Sequence, residues 1–231
     1  MKLLKTVFCI FLVFSLNACQ PTQSATSKVD ANDFASFWIW GNIQSAPCLS
    51  KAKELYILQG EIRYSKQKHS SILIPQGVSI LKLPRQKIWL VFRTHHLAWN
   101  EQNYQTILNR LEHWRNRGNQ VQGIQIDFDS KTNSLKDYAI FLQKLRQKLP
   151  QQYRLSITGL LDWTNFKDQK TLTILRNNIS ELVIYRNLKH EDLFEDMAGL
   201  MGLGKEGQKA DPFACAGELV ELAVEYGFEG N

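Results

Sequence analysis

Cysteine and proline are both scarce here: of 231 residues, four are cysteine and six are proline. The cysteines stand at positions 9, 19, 48 and 215, and no two are spaced as Cys-x-x-Cys. A disulfide-dense secreted scaffold and a thiolate zinc ribbon are therefore excluded. Cys48 and Cys215 are too far apart in sequence to specify a bridge, although an oxidising compartment would permit one. Apolar runs are short. The main one, Val7 to Leu16, falls below the roughly 20 residues that cross a bilayer. Acidic residues are thin over most of the chain: up to His190 there are 26 Lys+Arg against 12 Asp+Glu, and from Glu191 onward 2 against 10. The net charge of +6 thus divides into +14 and then −8, a reversal that marks a tail with a different job or origin. A phosphate-binding loop is missing as well, because in "GLMGLGKEG" the lysine is not followed by Ser or Thr and no strand precedes it.

What is present begins with an address. Lys2 and Lys5 precede the apolar run, the layout of a secretory signal peptide over residues 1–18. The run ends in Leu16-Asn17-Ala18-Cys19, which resembles the bacterial lipobox. That resemblance implies lipidation of Cys19 as the first mature residue, and Gln20 beside it implies the outer membrane, facing the periplasm, in a Gram-negative cell. Residues 19–33 are polar without apolar period and read as a flexible tether, reaching roughly 20 Å by the random-coil estimate. The expected address is the cell envelope, with membrane attachment through the lipid. Nucleic acid is not an expected partner outside the cytoplasm, and the basic residues Arg110, Arg115, Arg117, Lys144 and Lys148 read as a solvated helix face.

Strand and helix signals then alternate. Short aromatic or β-branched runs fall at Phe34–Trp40, Leu55–Tyr64, Lys87–Arg93, Val121–Phe128, Tyr153–Leu161 and Glu181–Tyr185. Between them, Tyr104, Ile107, Leu108, Leu111 and Trp114 recur at helical spacing after an Asn100 cap and before a Gly118 stop, and Leu135, Tyr138, Leu142, Leu145 and Leu149 form a second stripe before Pro150. A weaker helical stretch surrounds Leu172–Leu175. Buried strands alternating with helices predict a parallel sheet with right-handed crossovers. The fold class is therefore α/β, a partial (β/α)8 TIM-like barrel of about six strands over residues 34–187. An eight-stranded barrel normally takes about 250 residues. Residues 188–231 offer two helical patterns around a Gly-rich loop with no β run, so they read as an acidic helical tail joined to an incomplete barrel.

The chemistry centres on "GIQIDFDS", Gly123 to Ser130. Successive strand residues face opposite ways, so Ile124, Ile126 and Phe128 share one face while Gln125, Asp127 and Asp129 share the other. With helices covering the outside of a parallel sheet, the polar set points into the barrel and ends at its C-terminal mouth, where barrel active sites are built. Paired carboxylates there suit general acid chemistry, since like charges push one pKa upward, and they suit glycoside hydrolysis. The bland alternative is a carboxylate that accepts hydrogen bonds from loop amides or an arginine. Other residues expected at the mouth are Trp40, Arg93, His95, His96, Trp99, Asp162 and Trp163, with Trp99 and Trp163 as platforms for sugar rings. Because His95 and His96 are adjacent, they point opposite ways, so no metal is expected; one of them is expected to bond Asp127. No cofactor is implied.

Two resemblances attach to these residues. "GIQIDFDS" resembles the strand-four motif of family-18 chitinases, Asp-Gly-x-Asp-x-Asp-x-Glu. Gln122 and Gln125 stand at the first two acid positions, Asp127 at the third, and Asp129 in place of the catalytic Glu. The wider set "FWIWGNIQ", "KIWLVFRTHHLAW", "GIQIDFDS" and "LSITGLLDW" is similar to the bacterial domain of unknown function 3142 over residues 34–186. That family implies a barrel related to glycoside hydrolases. The resulting expectation is an envelope lipoprotein that binds or cleaves a glycan, with Asp129 as general acid, Asp127 as its electrostatic partner, and Gln125 among the substrate contacts. A non-catalytic carbohydrate-binding or structural lipoprotein is the alternative, as is a truncated or fused inactive chain.

Overall fold

The computed structural model describes residues 34–41, 47–160, 163, 166–186, 204–210 and 222–227. The expected signal peptide, Cys19, the expected tether and Asp162 lie outside them. Six strands run parallel: β1 (Ser36–Ile39), β2 (Glu54–Ser65), β4 (Lys87–Thr94), β5 (Gln120–Asp127), β6 (Arg154–Gly159) and β7 (Glu181–Arg186). Helices α1 (Glu101–Asn116), α2 (Leu135–Lys148) and α3 (Gln169–Asn178) follow β4, β5 and β6 in turn. All six expected strands and all three expected helices are present, in a TIM-like α/β arrangement.

Two departures concern strands. Between β2 and β4, where a helix would complete a βα unit, the chain instead forms β3 (Ser70–Pro75), antiparallel to the far half of β2. The expected helical tail is also corrected over its described residues. Gly204–Ala210 and Leu222–Gly227 are strands, β8 and β9. β9 pairs antiparallel to β7, β8 pairs antiparallel to β9, and β8 returns to pair parallel with β1. Together with the β1–β2 pairing, this closes the ring. The physical reason is visible in β9, where Leu222, Val224 and Tyr226 alternate with Ala223, Glu225 and Gly227. That two-residue period suits a strand lying between two others.

Period-two alternation divides the apolar residues into two cores. Phe37, Ile57, Leu90, Phe92, Ile124, Ile126, Leu155, Ile157 and Leu182 pack outward with Tyr104, Leu111, Trp114, Tyr138, Leu142 and Leu175 of the helices. Trp38, Tyr56, Leu58, Trp89, Val91 and Val183 form a separate cluster inside the ring. A parallel barrel fills its interior with side chains in layers. Here Tyr56 and Trp89 stack with ring centroids 5.6 Å apart at the base. Above them lies a polar layer: Trp38 Nε1 donates to Gln125 Oε1 at 2.7 Å, Gln125 Nε2 donates to Ser156 Oγ at 2.9 Å, and Ser156 Oγ donates to Glu181 at 3.0 Å. The Tyr56 hydroxyl also donates to Glu181 at 2.9 Å.

Two bulges set which residues look inward. Ile88 pairs Val121 but Trp89 pairs Gly123, which leaves Gln122 as an extra residue in β5. Likewise Leu58 pairs Val91 but Gly60 pairs Phe92, leaving Gln59 extra in β2. Each insertion reverses the inward and outward phase of the strand residues beyond it. The first puts Gln125 and Asp127 inside, and the second puts Glu61 inside. Buried Gln59 is held outward, its Oε1 accepting from Trp114 Nε1 at 2.7 Å and its Nε2 donating to the Leu58 and Val78 carbonyls at 2.9 and 3.0 Å.

Gly123, beside the β5 bulge, has no room for a side chain: a Cβ there would stand 1.9 Å from the Arg154 carbonyl oxygen of β6. Backbone cannot swing aside as a side chain would. Gly123→Ala is expected to lower unfolding free energy by about 3 kcal/mol or more, read from urea denaturation. A loss of under about 1 kcal/mol would show that β5 and β6 can separate locally without cost.

Candidate functional site

The row at the C-terminal rim consists of Glu61, Arg93, Asp127, Thr158 and Val183. Glu61 pairs with Arg93, Arg93 with Asp127, and Thr158 with Val183. The acids are sunk and the bases stand out. Glu61 and Asp127 are 3% and 4% exposed, whereas the side chains of Arg63, Arg93 and His95 are 54%, 48% and 53% exposed.

Asp127 accepts from Arg93 Nε at 2.7 Å and from Thr158 Oγ1 at 3.2 Å. Burial pushes its carboxyl above the ordinary aspartate range; the Arg93 charge and hydrogen bond oppose the rise, and the charge of Asp129 adds to it. Arg93 is in turn seated 5.1 Å above the Trp40 ring, and Trp40 stacks on Trp38 with centroids 6.3 Å apart. The aromatic floor therefore supports the guanidinium that clamps Asp127.

Glu61 has the opposite balance. Burial raises its pKa, but hydrogen bonds from Arg63, His95 and Gln76 outweigh that and hold it at about 2. Arg63 Nη2 lies 2.5 Å from the carboxylate and Gln76 Nε2 donates at 2.9 Å, while His95 Nε2 contacts the other oxygen. An ionised carboxylate only accepts, so an imidazole hydrogen sits on Nε2.

The structure brings Trp40, Arg93, His95 and Asp127 to one rim, and corrects several other expectations. Asp129 does not continue the strand, which ends at Asp127; it stands exposed on the loop beyond. Gln125 is fully buried with both ends of its amide engaged by Trp38 and Ser156, so it braces the interior and has no face for a substrate. Trp163 is 1% exposed, donates to the Ser130 carbonyl at 2.7 Å and packs edge-on with Tyr138; it is core, not a sugar platform. Trp99 is half-buried, its N–H bound to Thr94 Oγ1 at 3.0 Å and its ring set edge-on to Phe141. The histidine expected on Asp127 bonds Glu61 instead, because β2 presents its acid directly to His95. His96 turns the other way: its Nε2 is buried without a hydrogen-bond partner and its ring meets the edge of Tyr64. Among the described residues no three His, Cys, Asp or Glu side chains converge to hold a metal.

Glu61, Arg63, Gln76 and Thr158 were not among the residues expected at the rim. The signal for Glu61 was Gly60, since a glycine inside a strand often marks a bulge and a bulge would have turned the next acid inward.

A ring of mainly parallel strands, with helices outside and charge gathered at the C-terminal rim, defines the class of (β/α) barrels with a mouth site. Residues 91–195, less than half of the chain, match the model of the domain of unknown function DUF3142, the family its motifs resemble, and this segment supplies Arg93, His95, Asp127 and Thr158. Among solved structures, the chain is similar to the spore cortex-lytic enzyme SleL of Bacillus cereus, with 11% identity and a TM-score of 0.38, over 83% of this chain and 64% of that one. The chain thus spans less than two thirds of the SleL chain. No curated protein matches the sequence.

Two titrations follow from the rim. For Asp127 the folded pKa is raised, so its ionised form costs stability at neutral pH and that cost disappears as pH falls through the folded value toward the ordinary one near about 3.9. Asp127→Asn is expected to raise Tm at neutral pH, by about 2–4 °C per kcal/mol relieved, with the gain shrinking in acid; a lower Tm at neutral pH would mean the Arg93 pair outweighs burial. For Glu61 the folded pKa is depressed, so its stabilisation is complete above the ordinary value of 4.5 and is lost as pH falls toward about 2. Glu61→Gln is expected to be the less stable protein at neutral pH and to converge on wild type near pH 2; a gap that persists in acid would refute the assignment.

Proposed function

We propose that the barrel mouth is a glycan site and that Asp127 and Asp129 act there as a hydrolytic pair. One observation carries this reading. Two acids separated by one residue differ completely in setting: Asp127 is buried with its pKa raised and clamped by Arg93, while Asp129 is exposed two residues beyond the end of the strand. For stability alone, a buried charge at a rim adds nothing that an apolar residue would not supply better, and acids with separated environments are how one site obtains distinct proton-transfer roles. In the reading we favour, Asp129 is the acid free to reach the glycosidic oxygen and donate to it, while Asp127, kept ionised by the Arg93 pair and the Thr158 hydrogen bond against the pull of its burial, faces the developing positive charge of the sugar ring. Trp40, stacked and half-buried at the same rim beneath Arg93, offers an aromatic surface there. The resemblance of "GIQIDFDS" to the family-18 strand motif supports the same chemistry.

The rival reading, a carbohydrate-binding barrel without turnover, draws on the Arg93 clamp: a carboxylate already neutralised in an ion pair serves recognition as well as catalysis. The two part on one experiment. With peptidoglycan and chitin oligosaccharides as substrates, Asp129→Asn is expected to bind as wild type does and to lose hydrolysis by about 100-fold or more. Wild-type binding with no turnover would establish the rival, and unchanged turnover in Asp129→Asn would remove Asp129 from the chemistry.

The proposed setting is the cell envelope, with Cys19 lipidated and the tether holding the barrel near the outer membrane. Cys19→Ala is expected to abolish incorporation of labelled palmitate and to release the protein from the membrane fraction; retained label would refute lipidation at this residue.

A further inference from the structure

The rim is a vertical arrangement of charge. Glu61 and Asp127 lie buried in the barrel wall, and the half-exposed Arg63, Arg93 and His95 stand above them. Summed, the acids and the guanidiniums cancel. Viewed from solvent they do not, because the guanidiniums are outermost and the field of a buried carboxylate is countered by the cation over it. The outer groups are also held in place. Glu61 grips Arg63 and His95 together, and its own position is fixed by the bulge at Gln59 and by Gln76 across the β2–β3 hairpin. The hairpin is tied down in turn: Ser71 Oγ donates to Asn103 Oδ1 at 2.6 Å, and Asn100 Nδ2 donates to the Ser71 carbonyl at 2.8 Å, so the cap of α1 anchors β3. A preorganised guanidinium beside an imidazole is costly to assemble for stability alone, since half-exposed ion pairs contribute little.

We infer that the β2–β4 side of the mouth is an anion-recognition subsite, with Arg63 as its specificity-determining residue and a carboxylated sugar as its ligand class; this rests on the glycan reading above. The planar fork of an arginine matches a carboxylate bidentately. Arg63 spends one Nη on Glu61, which fixes the plane of the guanidinium without consuming its remaining donors. His95, oriented by Glu61 through Nε2, keeps Nδ1 to accept from a hydroxyl of the same sugar. Glu61 is a positioning residue, acting through these two. Asp129, an exposed acid, follows the end of β5, a strand separated from β2 by β4. A ligand with one carboxylate would be drawn to Arg63 on β2, so its polarity in the site would be set by charge.

The test is a glycan array of the full chain in which each carboxylated glycan is paired with its neutral counterpart and with a phosphorylated one. Wild type is expected to retain carboxylated members about tenfold more strongly than neutral partners, with the preference weakening as salt is added. Arg63→Met should abolish the preference, whereas Arg63→Lys, which keeps the charge without the fork, should reduce it. Arg117→Met, an equal charge change on an exposed residue at the far end of α1, should leave it intact. Unchanged melting temperatures separate these effects from misfolding. Equal retention of neutral and carboxylated glycans would overturn the inference and leave the glycan site standing. A preference for the phosphorylated members would overturn the carboxylate assignment, and an array with no glycan retained would remove both this inference and the reading beneath it.

Discussion

A β-strand alternates its side chains between two environments, here the barrel interior and the helical shell, and everything at the mouth depends on the phase of that alternation. One inserted residue exchanges the environments for the rest of its strand. Gln59 and Gln122 are the two insertions. Without the first, Gly60 would look inward and Glu61 would be pushed among the apolar residues beneath α1. Without the second, Ile124 and Ile126 would enter the polar layer, while Gln125 and Asp127 would meet Tyr138 and Leu142. The bulges do not adjust a site formed by other means; they decide which residues belong to it.

That constraint explains the contents of the interior. Among the described residues, the lower layers are filled by Tyr56, Trp89 and the hydrogen-bonded set of Trp38, Gln125, Ser156 and Glu181, while the charged side chains of Arg63, Arg93 and His95 reach solvent at the top. Trp38 supports Trp40, Trp40 supports Arg93, and Arg93 holds Asp127. The packed floor and the charged rim are thus one continuous stack, which couples the orientation of the site to the integrity of the core.

Much of this was legible in the sequence, and the part that was not has physical causes. Strand and helix periods revealed the six parallel strands β1, β2 and β4 to β7 and the helices α1 to α3, because those segments are strongly patterned. The alternation in "GIQIDFDS" assigned Gln125 and Asp127 inward correctly, since the bulge at Gln122 precedes that stretch. It failed at Asp129, where the strand stops two residues early. It missed Glu61, which reads as an ordinary outward acid unless the bulge before it is known. The tryptophans misled for another reason: Trp99 and Trp163 find partners for their N–H groups in the Thr94 hydroxyl and the Ser130 carbonyl, pairings that a sequence pattern does not announce. The short alternation in Leu222–Gly227 was hidden by its acidic, helix-like surroundings.

The β2–β3 hairpin has a consequence of its own. β2 is a single strand of 12 residues whose first half is barrel wall and whose second half is hairpin. Arg63 belongs to the second half, yet it is fixed to Glu61 at the junction. Beyond Ile62, β2 no longer pairs with β4 and runs on against β3, whose Ser71 is bonded to the cap of α1, while the barrel closes through other pairings. Recognition and architecture are therefore written on separable lengths of one strand. Relatives of this barrel could exchange the outer segment from Arg63 to Ile74 and acquire a different ligand while keeping the same wall, the same acids and the same closure.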